Sequence, residues 1–395
     1  MSLPLRSHTL LGLATLGGAA LALAPACGDG GDGPDGTGAS ASVSSSSSSG
    51  QGGAGGAPQA DVTPPPFGAP WQTLGEWNLF SDVPSGAPNA RVVPYDLISP
   101  LFSDYANKRR YLFVPEGSTI TYSDSDAWDF PLGSILVKTF SYPLDPGAPE
   151  GAQDLLETRI LFKEPTGWTA HTYVYDATDG EATLAIAGAF IDVVAATPSG
   201  IPITTYRVPN GNQCLDCHKS FDDARHLGPS TRQLDRDNDY GVGAVNQLDH
   251  LASLGYFDTM PAPAAQRERL VDPLDDANPD LSYRVRSYFE ANCAHCHTAG
   301  GNATPASNLD LRLVATDPAS DPSNWGECVI PTSCGCCAGK THDVVPGDAD
   351  ASIMPCRLAS TDLREKMPPF GSFSHEEGVA LVRAWIDAMP ATGCQ

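Results

Sequence analysis

The chain reads as a multidomain protein in which an N-terminal antiparallel β sandwich-like domain is followed by mainly α modules. Three observations lead there. Its 395 residues exceed what one hydrophobic core usually serves. From Trp71 to about Val208, short aromatic and β-branched runs such as "RRYLFVP", "SILVKTF", "TRILFKE" and "AHTYVYD" are separated by Pro and Gly, the punctuation of short antiparallel strands. After Pro209 such runs thin out and apolar residues recur at helical spacing.

Residues 1 to 26 read as a lipoprotein-type signal peptide. Arg6 lies in a short polar start, an apolar run extends from Leu10 to Leu23, and small residues close in "APAC" at Cys27. The pattern resembles a bacterial lipoprotein signal, in which Cys27 would carry the lipid, although Ala24 stands where that signal more often has Leu. An ordinary cleaved signal and an uncleaved anchor are the alternatives, the apolar run being barely long enough to span. Residues 27 to 70 hold six consecutive serines, "GGAGG" and a triple proline. Such composition cannot bury enough apolar area to offset backbone ordering, so this stretch is expected to be a flexible tether.

Residues 71 to 208 form the β-rich segment. Within it Lys108-Arg109-Arg110 reads as a solvated basic face. Over the whole chain acidic residues outnumber basic ones 47 to 23, a net charge of −24. That balance repels nucleic acid and anionic lipid and favours partners with basic docking surfaces, so no nucleic-acid binding is expected.

Three helices are predicted in the second half. "AVNQLDHLASLGYF" places Val245, Leu248, Leu251 and Leu254 on one face, and "LSYRVRSYFEAN" does the same for Leu281, Val285, Tyr288 and Phe289. The last opens at Ser374 with Glu377 three residues on, a capping box, and turns Val379, Val382, Trp385, Ile386 and Met389 inward.

The chemistry lies in "CLDCH" (Cys214 to His218) and "CAHCH" (Cys293 to His297). Both are CxxCH, the signature of covalent haem c attachment. Two cysteines one helical turn apart reach the two vinyl-derived carbons of one porphyrin, and the adjacent histidine lies beneath its iron. With 11 Cys and 9 His in the chain, chance supplies roughly 0.007 such matches, so two are a signal. Zinc would need four ligands gathered locally, and a thioredoxin-like redox pair would want a βαβ context. Two covalently bound haem c groups are therefore expected, held by Cys214 and Cys217 with His218, and by Cys293 and Cys296 with His297. His295, between the second pair of cysteines, reads as a solvent-facing spacer rather than a ligand.

Here a resemblance adds to the residues. Residues 281 to 392 resemble a class I cytochrome c module: Phe289 stands four residues before Cys293, CxxCH follows, and "MPPFGSFSHEEGVALVRAWI" closes the segment. The resemblance implies that Met367 is the distal axial ligand and that the first and last helices cross with Phe289 against Trp385. In the other module, Gly228-Pro229 follows CxxCH as it often does in such modules, and Met260-Pro261 follows a helix. Met260 is the distal ligand expected there, with His226, His250 or an open position as alternatives. The segment before Cys214, "TTYRVPNGNQ", is strand-like where the resemblance calls for a helix. Taken together, "LISPLFSDYANKRRYLFVPEG", "NQCLDCH", "ANCAHCH" and "VVPGDADASIM" resemble a family of two-haem c-type cytochromes with a β-rich N-terminal domain. The resemblance covers nearly everything after the tether and implies a first haem module at 209 to 265 and a second at 266 to 395.

The second module carries a Cys-rich insertion. Cys328, Cys334, Cys336, Cys337, Cys356 and Cys394 read as disulfides in an exported protein, with a metal site as the alternative. "DRDNDYG" (Asp235 to Gly241) has the alternating carboxylates of a calcium loop, but Tyr240 replaces its glycine and Asn246 its last glutamate, which favours caps and turns. The expected protein is an exported dihaem c-type cytochrome, a periplasmic or outer-surface lipoprotein of the cell envelope, passing single electrons between redox protein partners. A peroxidase-like dihaem enzyme with one open iron position is the alternative, and a binding role for the β domain is a third reading.

Overall fold

Alternation of side chains decides the central sheet. In "ILVKTFSYP" every residue is wholly or partly buried, and the two faces go to different cores. The structure, a computed structural model, describes residues 8–9, 61–176, 180–218, 227–303, 307–331, 337–369 and 371–394, apart from the side chains of residues 216 and 217.

His8–Thr9 (β1) is a two-residue strand, and Phe80–Asp82 (β2) pairs with Ala87–Pro88 (β3) as a short ribbon. The main sheet follows as an antiparallel meander of Val92–Tyr95 (β4), Asn107–Phe113 (β5), Ile135–Pro143 (β6), Gln153–Glu164 (β7), Gly167–Tyr175 (β8) and Ala182–Leu184 (β9), six strands in chain order. Ala189–Ala196 (β10) and Pro202–Val208 (β11) form a separate hairpin, to whose edge β1 adds two residues.

One face of the meander, with Ile135, Val137, Ile160, Phe162 and Tyr173, is covered by the N-terminal segment through Leu74, Trp77, Leu79 and Phe80. The buried Trp77 indole donates to the Tyr173 hydroxyl at 2.7 Å. The opposite face is covered differently along its length. At one end Leu112, Leu136 and Leu161 pack on Leu234, Leu248 and Leu251 from beyond residue 209; at the other, Phe140 and Tyr142 pack on Ile191, Ile203 and Tyr206 of the β10–β11 hairpin. Between those covers the face is open to a cleft.

The second half corrects the expected fold class. The chain is mostly β, with a six-stranded sheet as its largest element, and residues 209 to 395 do not form mainly α haem modules. Among the described residues its helices are Gly211–His218 (α1), Thr231–Leu234 (α2), Gln247–Ser253 (α3), Leu281–Asn292 (α4), Ile353–Ala359 (α5) and Glu376–Asp387 (α6), none longer than 12 residues. The reason is punctuation. Pro, Gly and Asp recur between them, and short helices repay their nucleation only where a face is buried. Thus the helix expected from Ala244 begins only at Gln247, where the Asn246 side chain accepts from the Leu248 N–H; Ala244–Asn246 (β13) instead pairs with Asp237–Asp239 (β12). That hairpin also occupies the acidic run: Asp239 accepts from the Gly241 and Gly243 N–H groups, and Asp235 pairs with Arg267.

Helix α4 has the predicted bounds. It packs on α6, with Phe289 edge-on to Trp385 at 5.6 Å between ring centroids. The cap of α6 differs from the expected Ser374 box. The Tyr105 hydroxyl accepts from the Glu376 N–H at 2.9 Å and donates towards Glu377 at 3.2 Å, so a residue of the β region starts the last helix. Residues 60 to 395 form one compact unit.

Candidate cofactor site

The first motif makes its own helix. Asn210 and Gln213 exchange side chain-to-backbone hydrogen bonds at 3.1 Å, a reciprocal cap immediately after β11. Gly211 lets α1 lie on β8, since a Cβ there would stand 2.8 Å from the Ala170 carbonyl oxygen. Cys214 is buried with a free thiol, and burial raises its pKa, with Arg159 opposing. The His218 Nδ1 lies 2.7 Å from the Leu227 carbonyl oxygen. A carbonyl only accepts, so Nδ1 carries the proton and Nε2 keeps its lone pair for a metal. Burial, then Lys138, holds this imidazole's pKa well below its usual value. The side chain of Cys217 lies outside the described residues.

The second motif begins where α4 ends. The Cys293 N–H closes on Phe289, and the Cys296 and His297 N–H groups both return to the Cys293 carbonyl at 3.0 and 2.8 Å, one further turn. Cys293 and Cys296 are one turn apart yet unbonded to each other. Burial pushes the Cys293 thiol up to about 12 and the His297 imidazole down to about 4, Arg357 adding to the latter. His297 Nδ1 is buried without a hydrogen-bond partner.

Three clefts meet at these turns. The first, about 1050 Å³, lies between the open stretch of the sheet and the end of α4, and is lined by His218, Leu227 and Ala291. A central cleft of about 1350 Å³ shares Cys214, His218 and His295 with it and reaches both motifs. A further cleft of about 760 Å³ lies between His297, Leu309, Leu311, Arg357 and Met367, so His297 and Met367 line one space.

The "LFSDYA" stretch holds the Met367 segment in place. Asp104 accepts from the Ser372 N–H at 2.8 Å and from the Phe373 N–H at 3.0 Å. A Cβ on Gly371 would stand 2.7 Å from that carboxylate, and the positive φ of Gly371 suits glycine. Phe102 stacks on His375 at 4.5 Å, and its N–H donates to Asn292 at 2.8 Å. One short segment thus fastens the sheet to α4, to the Met367 loop and to α6.

Charge in the first cleft runs against the net charge of the chain. In the sheet register Arg110 stands opposite Lys138 and Lys138 opposite Arg159, a row of three cations across β5, β6 and β7 on the face that lines the cleft. Like charges so placed repel, and an anion there relieves them. Asp96 pairs with Arg110 at 3.2 Å and Glu157 with Arg159 at 2.6 Å, the latter carboxylate also taking the Tyr206 hydroxyl. The expectation of a solvated basic face at Lys108-Arg109-Arg110 is therefore corrected. Arg110 is 5% exposed, Lys108 donates to the Leu101 carbonyl, and burial followed by Arg110, Lys138 and Arg159 holds the Lys108 pKa well below its usual value.

Other expectations at the site fare unevenly. Met260 is 76% exposed and lines none of the three clefts, so the structure does not bring it to His218. The Pro-rich stretch after it cannot continue α3 inward. His250 stacks on Tyr240 at 3.6 Å, away from the clefts. His295 is no solvent-facing spacer, because it lines two clefts and its Nδ1 is buried without a partner. Cys328 is bonded to Cys394 and Cys337 to Cys356. Cys27, His226, Cys334 and Cys336 lie outside the described residues.

The described donors fit a haem c at the second motif and in part at the first, where the Cys217 side chain lies outside the described residues: thiols at the motif turns, imidazoles held neutral beside them, and cations for a group with anionic edges. Among the described residues no group of three or more His, Cys, Asp or Glu converges as a metal cluster; a haem iron needs only two protein ligands. No family model, curated protein or solved structure matches the chain. Two disulfides are compatible with an extracellular or envelope protein. Among the described residues no helix is long and apolar enough to cross a membrane.

Proposed function

We propose that this chain is an exported dihaem c-type cytochrome that passes single electrons between redox protein partners of the cell envelope. The observation that carries the reading is the meeting of both CxxCH turns at adjoining clefts, with the thiols of Cys214 and Cys293 left out of the Cys328–Cys394 and Cys337–Cys356 disulfides. A haem c at each motif supplies a one-electron iron couple. The polypeptide does the rest. Cys214 with Cys217, and Cys293 with Cys296, would tether the haem; His218 and His297, kept neutral by burial, would ligate its iron, with Met367 as a further ligand at the second motif. The cation row Arg110, Lys138 and Arg159 offsets carboxylate charge at the first.

Resemblance to the two-haem family with a β-rich N-terminal domain agrees with this reading, and the sheet acts as a wall of the cofactor site. The net charge of −24 suits partners with basic docking surfaces. Lipidation at Cys27 and a tether over residues 27 to 70 would keep the body at a membrane, as a periplasmic or outer-surface lipoprotein.

A second reading rests on Met260. Its exposure removes the ligand expected opposite His218, and an open iron position there would suit a peroxidase-like dihaem enzyme. The test of the main reading is a pyridine haemochrome assay with intact mass on protein from a host competent in haem c maturation. Two haems per chain are expected. Colourless protein of bare polypeptide mass would end the proposal.

A further inference from the structure

We propose that His295 ligates the iron at the first motif, opposite His218, so that the second CxxCH turn both tethers its own haem and coordinates its neighbour's. The inference rests on the dihaem reading.

Helical geometry sorts the residues of the second turn. The hydrogen bonds from Cys296 and His297 back to Cys293 make it helical, and at about 100° per residue His295 leaves roughly opposite Cys293 and His297. The clefts show the same division. Cys293 and His297 line the third cleft with Met367, and His295 does not, although all four line the central cleft. His295 lines the first cleft, and none of Cys293, Cys296 and His297 does. Among the described residues, the histidines lining the first cleft are His218 and His295, and no methionine lines it.

The His295 ring also lacks another occupation. Its Nδ1 is buried without a hydrogen-bond partner, a state that costs about 1–3 kcal/mol unless something outside the chain satisfies it. Met260 is exposed and His250 is stacked on Tyr240. Three other cleft residues have lone pairs that iron accepts, Tyr95, Lys138 and Glu290; the Glu290 carboxylate already accepts from the Leu313 N–H at 2.7 Å and lies 3.8 Å from Arg232. Lys138 stands between two arginines in the cation row, which suits an anion better than a metal, and Tyr95 is packed in the apolar cover of the sheet.

Two imidazoles give a lower potential than imidazole with thioether. The first centre would then be the more reducing, and the backbone from His295 to Cys296 would join the two centres directly.

The experiment uses the full chain with its haem count established by haemochrome and mass. In the unaltered protein, the ferric spectrum at low temperature should show one bis-histidine low-spin centre, and the reduced protein should bind no carbon monoxide. His295→Ala should lose that signal and bind one carbon monoxide per chain, while the far-red band of the Met367 centre persists. His295→Met, closer in volume, guards against misfolding and should raise the potential of the first centre alone. Carbon monoxide binding by the unaltered protein, or unchanged signals in both His295 variants, would each overturn the assignment while leaving the dihaem reading standing. Fewer than two haems would remove that reading as well.

Discussion

The two CxxCH turns carry the same spacing in different surroundings. The first rides on a helix that springs from a strand and leans on the sheet, its histidine oriented by the Leu227 carbonyl and its cleft floored by three cations. The second closes a helix in a core built by α4, α5 and α6, where His297 shares a cleft with Met367 and its Nδ1 has no partner. A histidine whose second nitrogen donates to a carbonyl is a more basic ligand than one without that bond. On the dihaem reading the pentapeptide would specify attachment, and the neighbourhood would set how strongly each iron holds its electron. Histidine with histidine above cations, and histidine with methionine in an apolar core, should differ in potential by their second ligand first and by charge afterwards.

The largest test of that contrast is Met367→Ala. It should abolish the far-red charge-transfer band of the ferric protein and lower the potential of one centre only, each 59 mV being about a tenfold change in electron affinity. An unchanged band would break the comparison at its second half. Next comes Asp104→Ala, at a carboxylate that lines the central cleft and fastens the Met367 loop. Its carboxylate accepts from the Ser372 and Phe373 N–H groups, and a hydrogen bond to a charged group contributes about 1.5–3 kcal/mol. Chemical unfolding should show a loss of about 3–5 kcal/mol, and the far-red band should weaken while the first centre keeps its spectrum. If both centres change alike, "LFSDYA" holds the whole body rather than the Met367 loop.

Local pattern marked the residues proposed for attachment and made the best helix legible. Cys214, Cys293 and Cys296 are marked by spacing alone, and α4 by apolar periodicity with Asp280 as its cap. The contact of Phe289 with Trp385 followed from a resemblance. What escaped was everything set by strand register. Lys108 and Arg110 alternate on one strand, which could have marked a shared face, but only the pairing with β6 and β7 brings Lys138 and Arg159 beside them. A run of three basic residues looks solvated until a sheet buries it. Helical texture misled for a related reason. Leu248 and Leu251 do face a core, but it belongs to the sheet, so α3 needs only seven residues. The start of α1 was legible and missed, because Asn210 and Gln213 have capping-box spacing within a segment that looked like a strand.

The smallest effect should separate the clefts by pH. Asp343 lines the cleft of His297 and Met367, and burial, opposed by Arg357, pushes its pKa up to about 6. A carboxyl that binds its proton more tightly folded than unfolded favours the fold at low pH. That contribution is fully present below the unfolded value near 3.8 and is lost as pH rises through about 6. Above that pH the buried carboxylate is held at a cost of about 2–3 kcal/mol. Asp343→Asn removes the ionisation. Unfolding free energies measured from pH 4 to 7 should therefore draw apart, the variant gaining on the parent until about pH 6 and running parallel beyond. A constant difference across that range would mean that Asp343 does not titrate there, and the acid response would have to come from elsewhere in the molecule.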